Sequence, residues 1–112
     1  MDNQSCIFCK IIAKQVPATV VADTSDVLVI KDLHPKAPIH YLIIPKKHIH
    51  DLQSLTEQDK ALACNMLFMA HELAKELPGS KAFRLISNNG HDAGQRVFHI
   101  HLHFLSGSVM EF

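Results

Sequence analysis

Apolar positions fall in seven short groups along the chain, separated by proline, glycine and polar clusters. Ile7, Phe8, Ile11 and Ile12 recur at i, i+1, i+4 and i+5, which predicts a short amphipathic helix over 6–13, closed by Pro17. Residues 19–22 and 27–30 are rich in β-branched side chains and flank Asp23-Thr24-Ser25-Asp26, so they predict a hairpin. His40 to Ile44 reads as a third strand closed by Pro45, after a segment that Pro35 and Pro38 keep irregular. Thr56 followed by Asp59 resembles a capping box. Behind it Leu62, Met66, Met69, Leu73 and Leu77 form the stripe of a long helix, stopped by Pro78-Gly79. Residues 82–87 and 97–105 predict two final strands joined by a polar loop. The order α-β-β-β-α-β-β with short connections predicts a single α+β domain over 1–112, with a five-stranded antiparallel sheet.

Composition narrows the function. Lys+Arg and Asp+Glu balance at 11 each, so the basic excess of a nucleic-acid binder is missing and no such partner is expected. Apolar runs stop far short of the ~20 residues of a membrane span, and the N-terminus does not read as a signal peptide. No membrane association is expected, and the expected location is cytoplasmic. The unusual number is nine histidines, almost as many as all acids together.

Three of them stand in Val97-Phe98-His99-Ile100-His101-Leu102-His103-Phe104-Leu105. In a strand His99, His101 and His103 share one face, ~6.6 Å apart, and the apolar residues share the other. A solvated edge, a metal site made by the triplet, and a catalytic array around a nucleophilic imidazole all fit that pattern. The adjoining loop favours the array, because Asn88, Gly90, Gly94 and Gln95 offer amide donors and close backbone approach to a phosphate.

The segment His99-Ile100-His101-Leu102-His103-Phe104-Leu105 resembles the signature of the histidine triad (HIT) superfamily. Four further stretches resemble its Hint branch: Ile7-Phe8-x-Lys10-Ile11-Ile12, Asp32-x-x-Pro35-x-Ala37-Pro38-x-His40, Ile44-Pro45-Lys46-Lys47-His48 and Gly94-Gln95-x-Val97-x-His99. The resemblance implies a homodimer whose two sheets join across the interface, and a hydrolase of adenosine or guanosine 5′-phosphoramidates. Its implied catalytic residues are His101 as nucleophile, with His103 and His40 beside the phosphate. The implied nucleotide contacts are Asp32 for the ribose, Ile7, Phe8 and Leu33 for the purine, and Asn88, Gln95 and His103 for the phosphate or leaving group. Arg96 stands where many relatives have a serine, so it brings a charge-assisted phosphate contact if it faces the site. Alternatives are hydrolysis of dinucleoside polyphosphates or other nucleotide conjugates, and a nucleotide-binding regulator with residual hydrolysis.

Cys6-x-x-Cys9 by itself fits a redox pair or part of a metal site. No strand precedes it and no finger-spaced histidine pair follows, which disfavours thioredoxin chemistry and a zinc finger. The metal-bearing HIT relatives imply a structural Zn²⁺ held by Cys6, Cys9, His48 and His99. His50 is a competing ligand by position. Cys64 is expected in the core, and His71 on the surface or in a packing role.

Overall fold

The computed structural model describes residues 5–111. Met1 to Gln4 and Phe112, the two ends of the expected 1–112 domain, lie outside the described residues. The first helix, α1, spans Ile7–Ile12 and is capped by Cys6, whose Sγ accepts from the Cys9 amide at 3.4 Å. It ends before Pro17: Lys14 takes a positive φ of 62°, so a left-handed residue rather than the proline turns the chain. Strands β1 (Val20–Asp23), β2 (Val27–Lys31) and β3 (Ile39–Pro45) follow, then α2 (Lys60–Ala74), β4 (Phe83–Ile86) and β5 (Leu102–Ser106). All ladders are antiparallel in the order β1-β2-β3-β5-β4.

The sheet is covered on both faces. Val27, Val29, Ile43, Leu102 and Phe104 pack with Met66, Ala70 and Leu77 from the α2 side. Leu28, Ile30, Leu42 and Ile44 pack with Cys6, Phe8 and Cys9 of α1 on the other. That is why β2 reads as the unbroken apolar run Val27-Leu28-Val29-Ile30 rather than alternating. Burying such an aliphatic side chain contributes roughly 1.5–3 kcal/mol, so the two layers hold α1, with no more than six residues, against the sheet.

Three sequence expectations are corrected. The long helix is α-helical only to Ala74, and its last residues tighten into i→i−3 bonds that deliver Leu77 to the core. Cys64 is exposed rather than core, because Met66 and Ala70 define the buried line of α2. The histidine segment is a ladder strand only from Leu102; residues 97–101 bend away, with the Ile100 amide bonded to the Ile49 carbonyl at 2.7 Å. Phe98 consequently leaves the core and stacks on His50 at 4.9 Å. No helix among the described residues is long and apolar enough to cross a membrane.

The start of α2 carries a pH-dependent contact. The buried Asp59 carboxylate accepts from the Thr56 amide at 2.9 Å and from the Lys47 ammonium at 2.6 Å. The Lys47 bond, then the Thr56 amide, holds its carboxyl below the usual value of 3.8. A depressed folded pKa stabilises fully above the unfolded pKa, and that stabilisation is lost as pH falls through the folded value. Asp59→Asn is therefore expected to melt below wild type at about pH 7, with the gap closing once the medium is more acidic than about pH 4. Thermal melts across that range check it; a gap independent of pH would show that the charge is not what stabilises.

Candidate functional site: a histidine cleft beside a Cys₂His₂ cluster

Capping of α1 by Cys6 puts Cys6 and Cys9 at the same end of the helix, facing the bend at His99. Cys6 Sγ lies 3.4 Å from His99 Nδ1, and Cys9 Sγ lies 3.2 Å from His48 Nδ1 and 3.6 Å from His99 Nδ1. The two Nδ1 atoms are 3.1 Å apart, and one ligand atom from each of the four residues falls within 4.8 Å of the others. A tetrahedral zinc with bonds of about 2.3 Å to sulfur and 2.0 Å to nitrogen requires roughly 3.3 to 3.8 Å between ligands. The donor set fits that geometry.

The protonation pattern fits as well. His99 Nε2–H donates to the Pro45 carbonyl at 2.7 Å, which leaves the Nδ1 lone pair facing the cluster. Burial pushes the His99 pKa down to about 4 and lowers that of His48, so both are neutral ligands at pH 7. Burial also pushes the Cys6 thiol up, a cost that a bound cation reverses by stabilising the thiolate. His50 does not join the cluster: its Nδ1 pairs with Asp51 at 3.0 Å and its ring covers Phe98.

The bend gives His101 a defined tautomer. Its Nδ1–H donates to the His99 carbonyl at 2.8 Å, so Nε2 carries the free lone pair. Desolvation lowers the His101 pKa, keeping the ring neutral. Phe8 meets His101 edge-on at 5.0 Å and His99 at 5.8 Å, so one ring of α1 braces both histidines.

His40 and His103 form a second fixed pair. The Lys36 amide donates to His40 Nδ1 at 3.0 Å, which places the His40 proton on Nε2. That Nε2–H faces His103 Nδ1 at 2.9 Å and Asp32 Oδ2 at 3.4 Å. His103 must then carry its own proton on Nε2. Desolvation, followed by the neighbouring His101 and His40, takes the His103 pKa to about 4. Asp32, His40 and His103 are close enough to bracket a cation. Metal ligation by His40 Nε2 would nevertheless force a proton onto Nδ1, against the Lys36 N–H. The chain of donors orients His103 instead.

These groups open into a cleft of about 710 Å³. One side is apolar, built by Ile7, Phe8, Ile11 and the 16–19 segment, with Leu33 (88% exposed) at the rim. The other carries Asn88, Gly94 and Arg96. Gly94 has φ +100°, a conformation that disfavours a side chain, and an added Cβ would lie 4.0 Å from Asn88 Cγ.

Of the residues singled out in the sequence, His40, His101, His103, Asp32, Ile7, Phe8, Leu33, Asn88 and Arg96 all line this cleft. Gln95 does not. It is 1% exposed and its side-chain amide is spent on the Gly90 amide (2.8 Å) and the carbonyls of His50 (2.8 Å) and Val97 (3.1 Å). It ties the 88–97 loop together from below rather than reaching a ligand. Sequence reasoning missed the wall formed by Val16, Pro17 and Ala18, and missed Lys36. The apolar Val-Pro-Ala run between two elements was the available signal for the wall. Nothing local marks Lys36, whose backbone amide sets the His40 tautomer.

Residues 5–111 match the family model described as the scavenger mRNA decapping enzyme C-terminal binding region. A HIT-like protein of Synechocystis is 44% identical over 104 residues, covering 93% of this chain and 91% of its own. A HIT family hydrolase from Legionella pneumophila superimposes with a TM-score of 0.91 at 42% identity, over 96% of each chain. A Zn-bound histidine triad family protein from Mycobacterium smegmatis superimposes with a TM-score of 0.81 at 31% identity, over 91% of this chain and 74% of its own. With the sheet order, the His99-x-His101-x-His103 array and the Cys₂His₂ cluster, these likenesses show that the chain belongs to the histidine triad superfamily.

Proposed function

We propose that this protein is a nucleotide hydrolase that cleaves the P–N bond of purine nucleoside 5′-phosphoramidates through a nucleotidyl intermediate on His101. The observation that carries the reading is the 2.8 Å bond from His101 Nδ1 to the His99 carbonyl, which leaves a neutral, unprotonated Nε2 in the cleft. The purine lies in the apolar side of the cleft, with Asp32 accepting from the ribose hydroxyls. His101 Nε2 attacks phosphorus in line, and the His103 Nε2–H donates to a phosphoryl oxygen as charge builds there. The P–N bond breaks, the amine leaves with a proton taken from water, and a second water releases the nucleotide from His101. Asn88 and Arg96 contact the phosphate and the departing group. Gln95 takes a different part, holding the loop that presents them.

Intact mass spectrometry tests this. An adenosine 5′-phosphoramidate mixed with the protein and quenched without acid is expected to give a transient nucleotidyl adduct on the peptide carrying His101. Turnover without any such adduct, even under single-turnover conditions, would redirect the mechanism to direct attack by water.

Cys6, Cys9, His48 and His99 would hold Zn²⁺, which supplies a closed structural cross-link and takes no part in the chemistry. The chain's own contribution is to deliver both thiols and both Nδ1 lone pairs to one point.

The active form is a homodimer in this reading. The outer face of α2 shows Leu67 (60% exposed) and Phe68 (57%), and β4 is an edge strand with Phe83 at its start. Paired apolar faces and a joined strand edge remove both features from water. Phe68→Asp is expected to shift the protein from dimer to monomer by size-exclusion chromatography with light scattering. A monomeric wild type would remove the dimer from the account.

A further inference from the structure

The cleft holds more positive charge than a phosphoramidate ester needs. Three cations line it, Lys31, Lys36 and Arg96, and none has an ion-pair partner among the described residues. Asp32, the one carboxylate lining it among the described residues, is engaged by the His34 amide at 2.8 Å and by His40. A nucleoside phosphoramidate brings a single negative charge to its phosphoryl group. The remainder of the field is directed elsewhere in the substrate.

The topology says where. α1 packs on β2 and β3, and Asp32 follows β2, so the purine and ribose side of the cleft lies toward β2. His40 on β3 and His103 on β5 occupy the middle. Loop 88–96 follows β4 at the other edge. With the nucleoside toward β2 and the phosphorus at the histidines, the leaving group extends toward this loop.

Arg96 is prepared there. Gln95 and its three side-chain bonds clamp the backbone just before it. Its Nη1 donates to the His91 and Gln95 carbonyls, each at 3.3 Å, which orients the guanidinium while the other nitrogens stay available to a ligand. We propose that Arg96 selects a leaving group bearing an oxyanion, either the carboxylate of an acidic amine or a further phosphate, by a charge-assisted contact on the side of the cleft away from the purine. The inference rests on the hydrolase reading above. The bond changes are unaltered: His101 Nε2–P forms and the bond from phosphorus to the leaving atom breaks. A leaving amine gains a proton from water, a leaving phosphate departs as its anion, and Arg96 stays protonated throughout.

The test compares kcat/KM for the adenosine 5′-phosphoramidates of aspartate, of a neutral alkylamine of similar size and of lysine amide, together with a dinucleoside polyphosphate. Wild type is expected to favour at least one oxyanionic leaving group over the neutral amine by roughly tenfold. Arg96→Gln should collapse that ratio, and Arg96→Glu should invert it in favour of lysine amide. Preference for the aspartate substrate identifies a carboxylate as the ligand, and preference for the polyphosphate identifies a phosphate. A ratio unchanged in Arg96→Gln, or a wild type that favours the neutral or cationic amine, overturns the assignment. If wild type forms no His101 adduct and turns over none of the four, the hydrolase reading fails, and this inference with it.

Discussion

His101→Ala is expected to lower kcat by roughly 10⁴-fold or more while leaving the fold intact, because none of the imidazoles packed around it can replace its lone pair. His40 Nδ1 is occupied by the Lys36 amide and its Nε2 carries a proton. His103 Nδ1 accepts the hydrogen bond from that N–H, so its own proton sits on Nε2. His99 donates from Nε2 to Pro45 and turns Nδ1 toward the thiols. Each of these three imidazoles is thus a donor toward the cleft or faces away from it, and among His40, His99, His101 and His103 it is His101 that offers the cleft an acceptor nitrogen. The alanine variant should form no nucleotidyl adduct yet still bind the nucleotide product, since the apolar wall and Asp32 are untouched. His101→Gly should be equally inactive and should regain part of its turnover from added free imidazole. A wild-type rate in His101→Ala would show that the nucleophile is another group. Circular dichroism on the same samples separates loss of chemistry from loss of structure.

The second large effect is expected at the Cys₂His₂ cluster, if it holds the proposed zinc. Protein purified without added metal is expected to carry about one zinc per chain, and Cys9→Ser or a strong chelator should lower Tm by more than ~10 °C. The size follows from what the cluster joins. A six-residue helix is too short to persist alone, and α1 is tied to the bend at His99 and to the His48 loop through these four side chains. Without the ion, two buried thiols and two imidazoles remain crowded at 3.1 to 3.6 Å with no cation to bind them. Activity should fall alongside stability, because Phe8 braces His101 from α1 and the His99 carbonyl sets its tautomer. The checks are metal analysis, melting curves with and without chelator, and readdition of zinc. Metal-free protein with an unchanged Tm would take the ion out of the account.

Much of the architecture was legible in local pattern. Val27-Leu28-Val29-Ile30, the Leu62–Met66–Met69–Leu73 stripe and the Thr56/Asp59 start each appear as an element in place, since periodicity and capping are read from neighbours a few residues apart. The misreadings were of another kind. Val97–Leu105 alternates as a strand should, yet only its second half enters the ladder, because the Ile49 carbonyl captures the Ile100 amide from elsewhere in the chain and the Gln95 side chain takes the Val97 carbonyl locally. Cys64 sits close to the apolar stripe in sequence, and only the packing of Met66 and Ala70 shows which line of α2 is buried. Gln95 reads as a ligand contact from its place in the loop, whereas the fold takes up its side chain in bonds to Gly90, Val97 and His50.

By itself the sequence determined the element order, the histidine array and the candidate cysteine pair, all encoded in short-range spacing. The tertiary structure decided which nitrogen of each histidine is free. The Lys36 amide acts on His40, the Pro45 carbonyl on His99 and the His99 carbonyl on His101, through backbone groups that carry no side-chain signature. It also decided that residues 93 positions apart, Cys6 and His99, meet at 3.4 Å. Backbone donors and acceptors are the same at every non-proline position. Only the folded path of the chain aims them, and in this protein that aim turns Nδ1 of His99 to the two cysteines, leaves Nε2 of His101 open in the cleft and puts the proton of His103 on Nε2.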